Sequence, residues 1–288
     1  MKIIKVTTLG FLGPCGTHSE EVAIWLSKKN SSVCYKLVPF TNIFEAMVAV
    51  DNGVIDSCVV PVENSLEGSI NITLDTLAHI VDLQVAQEIV WTVHNQLMVK
   101  EPGKSIKKII SHSQPLAQCR NYIKSHHKQA EIITVSSTAK AAAIVAENGI
   151  GYAAIATTRA GEIYGLTTVA KDIQDDRNNC TRFYLLTKVG ASLIQGKDKT
   201  SLICQINGEQ AGRLCDVLWE FAKRDVNLNS IESRPAKTEL GQYIFFLSLD
   251  SAADCANVEA AIQAIKQKSL WLKNLGSFNV VKIDNKIQ

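Results

Sequence analysis

Over its first two thirds the chain alternates short β-branched runs with longer amphipathic stretches, a rhythm that predicts strands crossed over by helices. Strands are expected at 5–12, 33–39, 56–62, 109–111, 131–135, 152–156 and 182–187, with helices between them. The second helix opens at Asn42 with Glu45 three residues on, a capping-box spacing, and should turn Phe44, Met47, Val48 and Ala49 inward. Residues 83–99 break the rhythm, because VAQEIVWTVHNQLMV has no helical apolar period and is too long for one ordinary strand. A segment of this kind can cross between two lobes, leaving a cleft where open α/β folds tend to bind ligands.

A different rhythm begins after Thr187. GASLIQGKDK, residues 190–199, is small, polar and glycine-containing, as a linker is composed. Beyond it Leu202, Cys204 and Ile206 alternate as a strand, and Leu214, Val217, Leu218 and Phe221 share a helical face. Stretches 226–233 and 242–249 read as strands, Val258, Ala261, Ile262 and Ile265 mark a second helix, and a final strand is expected near 270–275. The order β-α-β-β-α-β is that of a ferredoxin-like unit. The expected division is therefore a first domain at 1–189, a linker at 190–199 and a second domain at 200–280.

Composition removes several function classes. Thirty Lys and Arg against 28 Asp and Glu leave a net charge of +2, with no run of five like charges, so no basic face for nucleic acid is expected. The eight cysteines are scattered without a C-x-x-C pair and read as reduced, half-buried apolar residues in a reducing compartment. The opening MKIIKVTTLGFLGPC fails as a lipoprotein signal, since Lys5, Thr7, Thr8 and Gly10 interrupt the apolar run and Pro14 precedes the cysteine. No run of eighteen apolar residues is present, so no membrane span is expected, and the localisation that follows is cytoplasmic.

Three polar clusters could carry chemistry. Gly13 to Glu20 joins a strand to a helix with Thr17 and Glu20 at capping-box spacing. It is either a carboxylate site, with Thr17 and Ser19 beside the helix start, or a well-capped turn. Glu63, Asn64 and Ser65 follow the third strand at its carboxyl end, the usual ligand side of such sheets. The alternative is a solvated loop in which Ser69 or Asn71 caps the next helix. Thr181, Arg182 and Phe183 begin the last strand of the large domain, where a guanidinium suited to gripping a carboxylate stands beside a hydroxyl; a structural salt bridge is the rival role for Arg182. Ser111 and His112 follow another strand, and His112 is either a cleft residue or a structural histidine. His79, His94, His126 and His127 carry no assigned role.

Together these segments, in this order, closely resemble the prephenate dehydratase family: GPCGTHSEEVA, VPVENSLEGSI, SHSQPLAQC, SSTAKAA, YAAIA, YGL and NNCTRF. The C-terminal unit resembles the ACT domains attached to such enzymes through GRLCDVL at 212–218 and IESRP at 231–235. His18 stands where the family usually has Phe, and Arg213 where it usually has a small residue. The chain begins at the dehydratase opening, so the chorismate mutase domain fused to some relatives is expected to be absent.

The resemblance implies a two-lobed, periplasmic-binding-protein-like α/β catalytic domain followed by a ferredoxin-like ACT domain. The implied reaction is conversion of prephenate to phenylpyruvate with loss of water and carbon dioxide, which calls for no metal or redox cofactor. Thr181 matches the residue regarded as essential and is assigned the hydrogen bond to the departing hydroxyl. Glu63 is the expected proton reservoir if burial raises its pKa. Arg182, Phe183, Asn64, Ser65, Thr17, Ser19, Ser111 and His112 complete the expected substrate site. L-Phenylalanine is the implied effector, at Gly212, Leu214, Glu232, Ser233 and Arg234, and the implied assembly is a homodimer or homotetramer. Arogenate dehydration, a non-catalytic two-lobed binding protein, and an amino-acid sensor controlling a partner are the rival readings.

Overall fold

A computed structural model describes residues 6–29, 33–191, 198–207, 211–238 and 241–284. The chain opens with β1 (Val6–Leu12), α1 (His18–Lys29), β2 (Cys34–Phe40), α2 (Ile43–Asp51), β3 (Ser57–Asn64), β4 (Gly68–Ser69), α3 (Asn71–His79) and β5 (Leu83–Thr92). It crosses at 93–95 into a second lobe of β6 (Gln96–Val99), β7 (Lys108–Ser111), α4 (Ser113–Gln118), α5 (Arg120–His126), β8 (Glu131–Thr134), α6 (Thr138–Asn148), β9 (Tyr152–Ala156), α7 (Thr158–Tyr164) and β10 (Thr167–Ala170). Residues 171–179 cross back, and β11 (Cys180–Lys188) runs between β3 and β5, antiparallel to both. The expected crossing in 83–99 thus takes three residues between two strands. Lys5 and residues 192–197, included in the first expected strand and the linker, lie outside the described residues.

Local chemistry sets these elements. Asn42 caps α2 by accepting from Glu45 N at 2.8 Å, as its spacing predicts. Met47 and Ala49 are buried, but Phe44 is 39% exposed: the buried face of the helix runs through Ile43, Ala46, Met47 and Val50, and Phe44 lies off it. Thr17 accepts from Glu20 N at 3.3 Å, while the Glu20 carboxylate accepts from Gly16 N at 2.6 Å, so the strand-to-helix turn is closed from both ends. Gly16 has φ +90° and a Cβ there would meet Ala160 and Ala139 of the second lobe at 3.2–3.3 Å. This is where the lobes touch, and Thr157 Oγ1 donates to Gly16 O at 2.8 Å across it.

The C-terminal unit comprises β12 (Lys199–Gln205), α8 (Arg213–Ala222), β13 (Leu228–Pro235), β14 (Tyr243–Leu249), α9 (Ala256–Lys268) and β15 (Trp271–Ile283), in the sheet order β13-β14-β12-β15. Its helices cover one sheet face over Leu202, Cys204, Val217, Phe221 and Ile265. The other face, with Ile203, Ile244 and Phe246, packs into the same core as α2 and α3. The last strand does not stop near 275. Gly276, at φ +101°, sits at a bulge, beyond which β15 pairs in parallel with β5 from Asn279↔Gln87 to Ile283↔Trp91. The two units therefore share one sheet, in the order β13-β14-β12-β15-β5-β11-β3-β1-β2.

Candidate active site

A cavity of about 620 Å³ lies between the lobes, where the starts of α1 and α6 and the first residues of β11 come together. Thr181 is paired directly with Asn64 across β11 and β3. Asn64 is 4% exposed, and its Nδ2 donates to Thr181 Oγ1 at 3.0 Å, Asn179 Oδ1 at 3.0 Å and Cys180 O at 3.3 Å. Its Oδ1 accepts from the backbone N–H of Leu66 and Glu67, which fixes the loop after β3. The chain of amides continues across the cleft, Asn179 Nδ2 donating to Gln118 Oε1 of the second lobe at 2.9 Å. Asn64 and Thr181 are thus held by a network that spans both lobes.

The rest of each motif faces elsewhere. Successive strand residues point to opposite faces, so Arg182 cannot share a face with Thr181, nor Glu63 with Asn64. Between β3 and β11 the register passes from Arg182↔Glu63 to Phe183↔Pro61, leaving Val62 as the extra residue of a bulge. Arg182 and Glu63 meet on the far side, Nη2 to Oε2 at 3.2 Å, with Glu63 41% exposed and bordering a second cavity against the C-terminal unit. Arg182 also lies 3.7 Å from the buried Glu88 carboxylate, which Lys199 approaches at 3.0 Å. Burial alone would lower the Arg182 pKa, but Glu88 and Glu63 outweigh it and raise it. Glu63 as a proton reservoir and Arg182 as a carboxylate grip in the cleft are therefore corrected: their side chains form an ion-pair chain on the face of β11 away from the cleft.

Phe183 is 2% exposed in the core under α1, among Leu9, Phe11 and Trp91, and does not line the cleft. Ser65 is a stitch: its N–H donates to Cys180 O at 2.9 Å and its Oγ accepts from Cys180 N at 3.0 Å. Ser111 is fully buried and donates to Ile155 O at 2.6 Å, so it holds β7 to β9 and makes no cleft wall. Thr17, His18, Ser19 and His112 do line the cavity. His112 caps α4, accepting from Gln114 N at 3.4 Å, and His18 contacts Glu21 at 2.9 Å.

The cleft also takes residues that received no role from the sequence. Ser137 caps α6 by accepting from Lys140 N at 3.0 Å, and Ser136, Thr138 and Lys140 border the cavity from that helix start. They belong to SSTAKAA, as Gln118 and Asn179 belong to other matched segments, so the signal was present without an assignment. Asn95 belongs to none of them and reaches the cleft from the first crossing segment. Of the cysteines, Cys15, Cys34, Cys215 and Cys255 are exposed, where half-buried packing was expected.

At the C-terminal unit Gly212 and Leu214 border a cavity of about 210 Å³ with Arg213, Tyr243 and Phe245. Ser233 pairs with Phe245 and shares its sheet face, whereas Glu232 pairs with Phe246 and Arg234 with Ile244, on the opposite face. Arg234 grips Asp75 of α3 at 2.9 and 3.1 Å and Asn71 Oδ1 at 2.5 Å. Glu232 and Arg234 therefore face the first lobe instead of lining a pocket with Gly212.

The model of the prephenate dehydratase family matches residues 9–191, the span from β1 to the end of β11 that builds this cleft. The chain belongs to that family. It is 37% identical to the bifunctional chorismate mutase/prephenate dehydratase of Neisseria gonorrhoeae over 283 residues, covering 96% of this chain and 76% of the relative. It is 36% identical to the prephenate dehydratase of Methanocaldococcus jannaschii, covering 93% and 96% of the two chains. The crystal structure of prephenate dehydratase from Arthrobacter aurescens in complex with L-Phe superposes with a TM-score of 0.85 at 33% identity, over 94% of this chain and 90% of that one. All three alignments take in the C-terminal unit as well as the lobes, because each covers nearly the whole chain.

Proposed function

We propose that the interlobe cleft carries out the decarboxylating dehydration of prephenate to phenylpyruvate, with Thr181 as the hydrogen-bond donor to the departing ring hydroxyl. The observation that carries this is the 3.0 Å bond from Asn64 Nδ2 to Thr181 Oγ1. With an acceptor site of the oxygen taken by Asn64, the Thr181 proton is left to donate to the substrate. The hydroxyl departs with one added proton as water while the ring carboxylate leaves as carbon dioxide. The electron pair of the broken C–C bond enters the ring, which becomes aromatic. The protein adds orientation and hydrogen bonds tuned to the departing oxygen.

Prephenate carries two carboxylates. The α1 start, capped at Thr17, and the α6 start, capped at Ser137 and carrying Lys140, offer one anion-binding helix terminus from each lobe. A dianion held by both would draw the lobes together and exclude water from the reacting ring. Two lobes joined by two short crossings support the periplasmic-binding-protein-like description of the catalytic domain, which we assign to residues 1–189.

We assign the C-terminal unit, from 200 through the end of β15, as an ACT domain through which L-phenylalanine inhibits. Gly212 at the start of α8, Leu214 beside it, and Ser233 on the face of Phe245 support an effector site at this end of the unit. Glu232 and Arg234 fit transmission better than binding, since Arg234 is fastened to Asp75 and Asn71 of α3. β13, an edge of the shared sheet, supports pairing with a second copy in a homodimer or homotetramer. Among the described residues no helix is long and apolar enough to cross a membrane, and a biosynthetic enzyme of this kind fits the cytoplasm.

The test is to incubate the purified protein with prephenate and follow phenylpyruvate by its absorbance in alkali, with and without L-phenylalanine. Product above the spontaneous rate, falling as phenylalanine is added, is expected. No product above that rate would overturn the catalytic reading, and activity indifferent to bound phenylalanine the regulatory one.

A further inference from the structure

Two side-chain amides in the cleft have hydrogen-bonding capacity that the protein leaves unused. Gln118 Oε1 accepts from Asn179, but Gln118 Nε2 has no partner among the described residues. Asn95 is 1% exposed and, among the described residues, has no partner at either Nδ2 or Oδ1. Its backbone is fixed, N–H to Gln174 Oε1 and C=O from Ile173 N, both at 3.0 Å, so the residue is pinned between the two crossing segments. A buried amide with neither end paired bears a desolvation penalty that folding does not offset, and such a group bordering a cavity is matched to a ligand.

We propose that Asn95 is a specificity-determining residue that reads the group on the substrate carbon next to the side-chain carboxylate, an inference that rests on the dehydratase reading above. Several neighbouring polar groups of the cleft are already committed. Asn64 is used at both ends, Asn179 binds Asn64 and Gln118, and Thr181 keeps its proton for the ring hydroxyl. The two helix starts and Lys140 are matched to the two carboxylates, with Gln118 Nε2 as a further donor. What remains of prephenate is the side-chain ketone, and Asn95 is the cleft-lining residue whose amide is buried with both ends unused.

An amide is a particular kind of reader. Toward a ketone, an acceptor only, it presents Nδ2–H; turned over about its last bond it presents Oδ1, which accepts from an ammonium. Asn95 therefore tolerates the amino-acid counterpart of the substrate, arogenate, in which an ammonium replaces the ketone. A group that can only accept would reject the ketone and keep the ammonium.

The test compares kcat/KM for prephenate and arogenate in wild type, Asn95→Asp and Asn95→Leu. Where arogenate is not turned over, its inhibition constant against prephenate replaces kcat/KM. Asn95→Asp should lower kcat/KM for prephenate by about a hundredfold and shift the arogenate-to-prephenate ratio at least about tenfold toward arogenate, as for a site built around one substrate hydrogen bond. Asn95→Leu, an apolar near-isostere, should lose about tenfold or more on prephenate while its thermal midpoint stays or rises, because no unpaired amide remains buried. A purely structural Asn95 predicts the reverse, a lower midpoint and equal losses on both substrates. A ratio moved less than tenfold by Asn95→Asp, or wild-type kinetics in Asn95→Leu, would overturn the assignment while leaving the dehydratase reading intact. Failure of wild type to form phenylpyruvate would instead sink both.

Discussion

Replacing Thr181 by Val keeps a β-branched side chain on β11 and removes only the hydroxyl, so the change separates chemistry from folding. Asn64 Nδ2 loses its 3.0 Å acceptor but retains Asn179 Oδ1 at 3.0 Å and Cys180 O at 3.3 Å, and no polar atom of Asn64 is stranded. The stability cost is therefore that of one ordinary hydrogen bond, about 0.5–1.5 kcal/mol, a midpoint shift of roughly 1–6 °C. Loss of a hydrogen bond made to the departing oxygen is larger, about a hundredfold or more in kcat, which converts to about 2.7 kcal/mol. Stopped assays of phenylpyruvate formation at saturating prephenate give kcat, and a thermal melt of the same preparation gives the midpoint. Asn64→Ala is the informative contrast, since it breaks the turn after β3 as well as the bond to Thr181 and should lose both activity and stability. A Thr181→Val variant with kcat within about threefold of wild type would refute the assignment of the hydroxyl to the reaction.

Arg234→Ala should destabilise by about 1.5–3 kcal/mol, measured by denaturant unfolding, because it removes several charge-assisted bonds to Asp75 and Asn71. It should also weaken inhibition by phenylalanine more than phenylalanine binding, and loss of binding alone would point to a pocket role. Glu220, 3% exposed, has its carboxyl held at about 2 by Lys223, Lys268 and Arg224. A depressed acid pKa stabilises above the ordinary carboxyl value, and that stability is lost as pH falls from about 4.5 toward about 2. Glu220→Gln should flatten the acid limb of the stability profile in that window, and an unchanged limb would place the acid sensitivity elsewhere.

The strand rhythm was legible where runs were short and bounded: residues 152–156 were read as β9 to the residue, and Asn42 capped α2 as its spacing implied. β10 escaped because four residues after a helix, on a sheet edge, carry little alternation. At the candidate site, motif membership pointed to segments that border the cleft but not to which of their side chains face it. Period two already implied that Thr181 and Arg182, or Glu63 and Asn64, could not both reach one cleft, and the structure obeys that rule. Asn95 and the partners of Gln118 could not be read at all, since an unpaired amide is a fact of tertiary burial with no local pattern. The final strand, expected near 270–275, runs on past Gly276, which is a bulge inside a longer strand.

That longer strand makes the C-terminal unit something other than a removable module. Cutting the chain after β11 would strip β15 from β5 and bare a row of unpaired backbone groups along Gln87 to Trp91, beside Ile89, which is fully buried in the intact protein. Such an edge invites edge-to-edge association, so a catalytic fragment made this way would be prone to aggregate for reasons unrelated to its chemistry. Grafting a regulatory unit from a relative would have to carry the β15–β5 seam with it. Heating should likewise melt the two units together, because neither can lose its half of the shared strand without opening the sheet of the other.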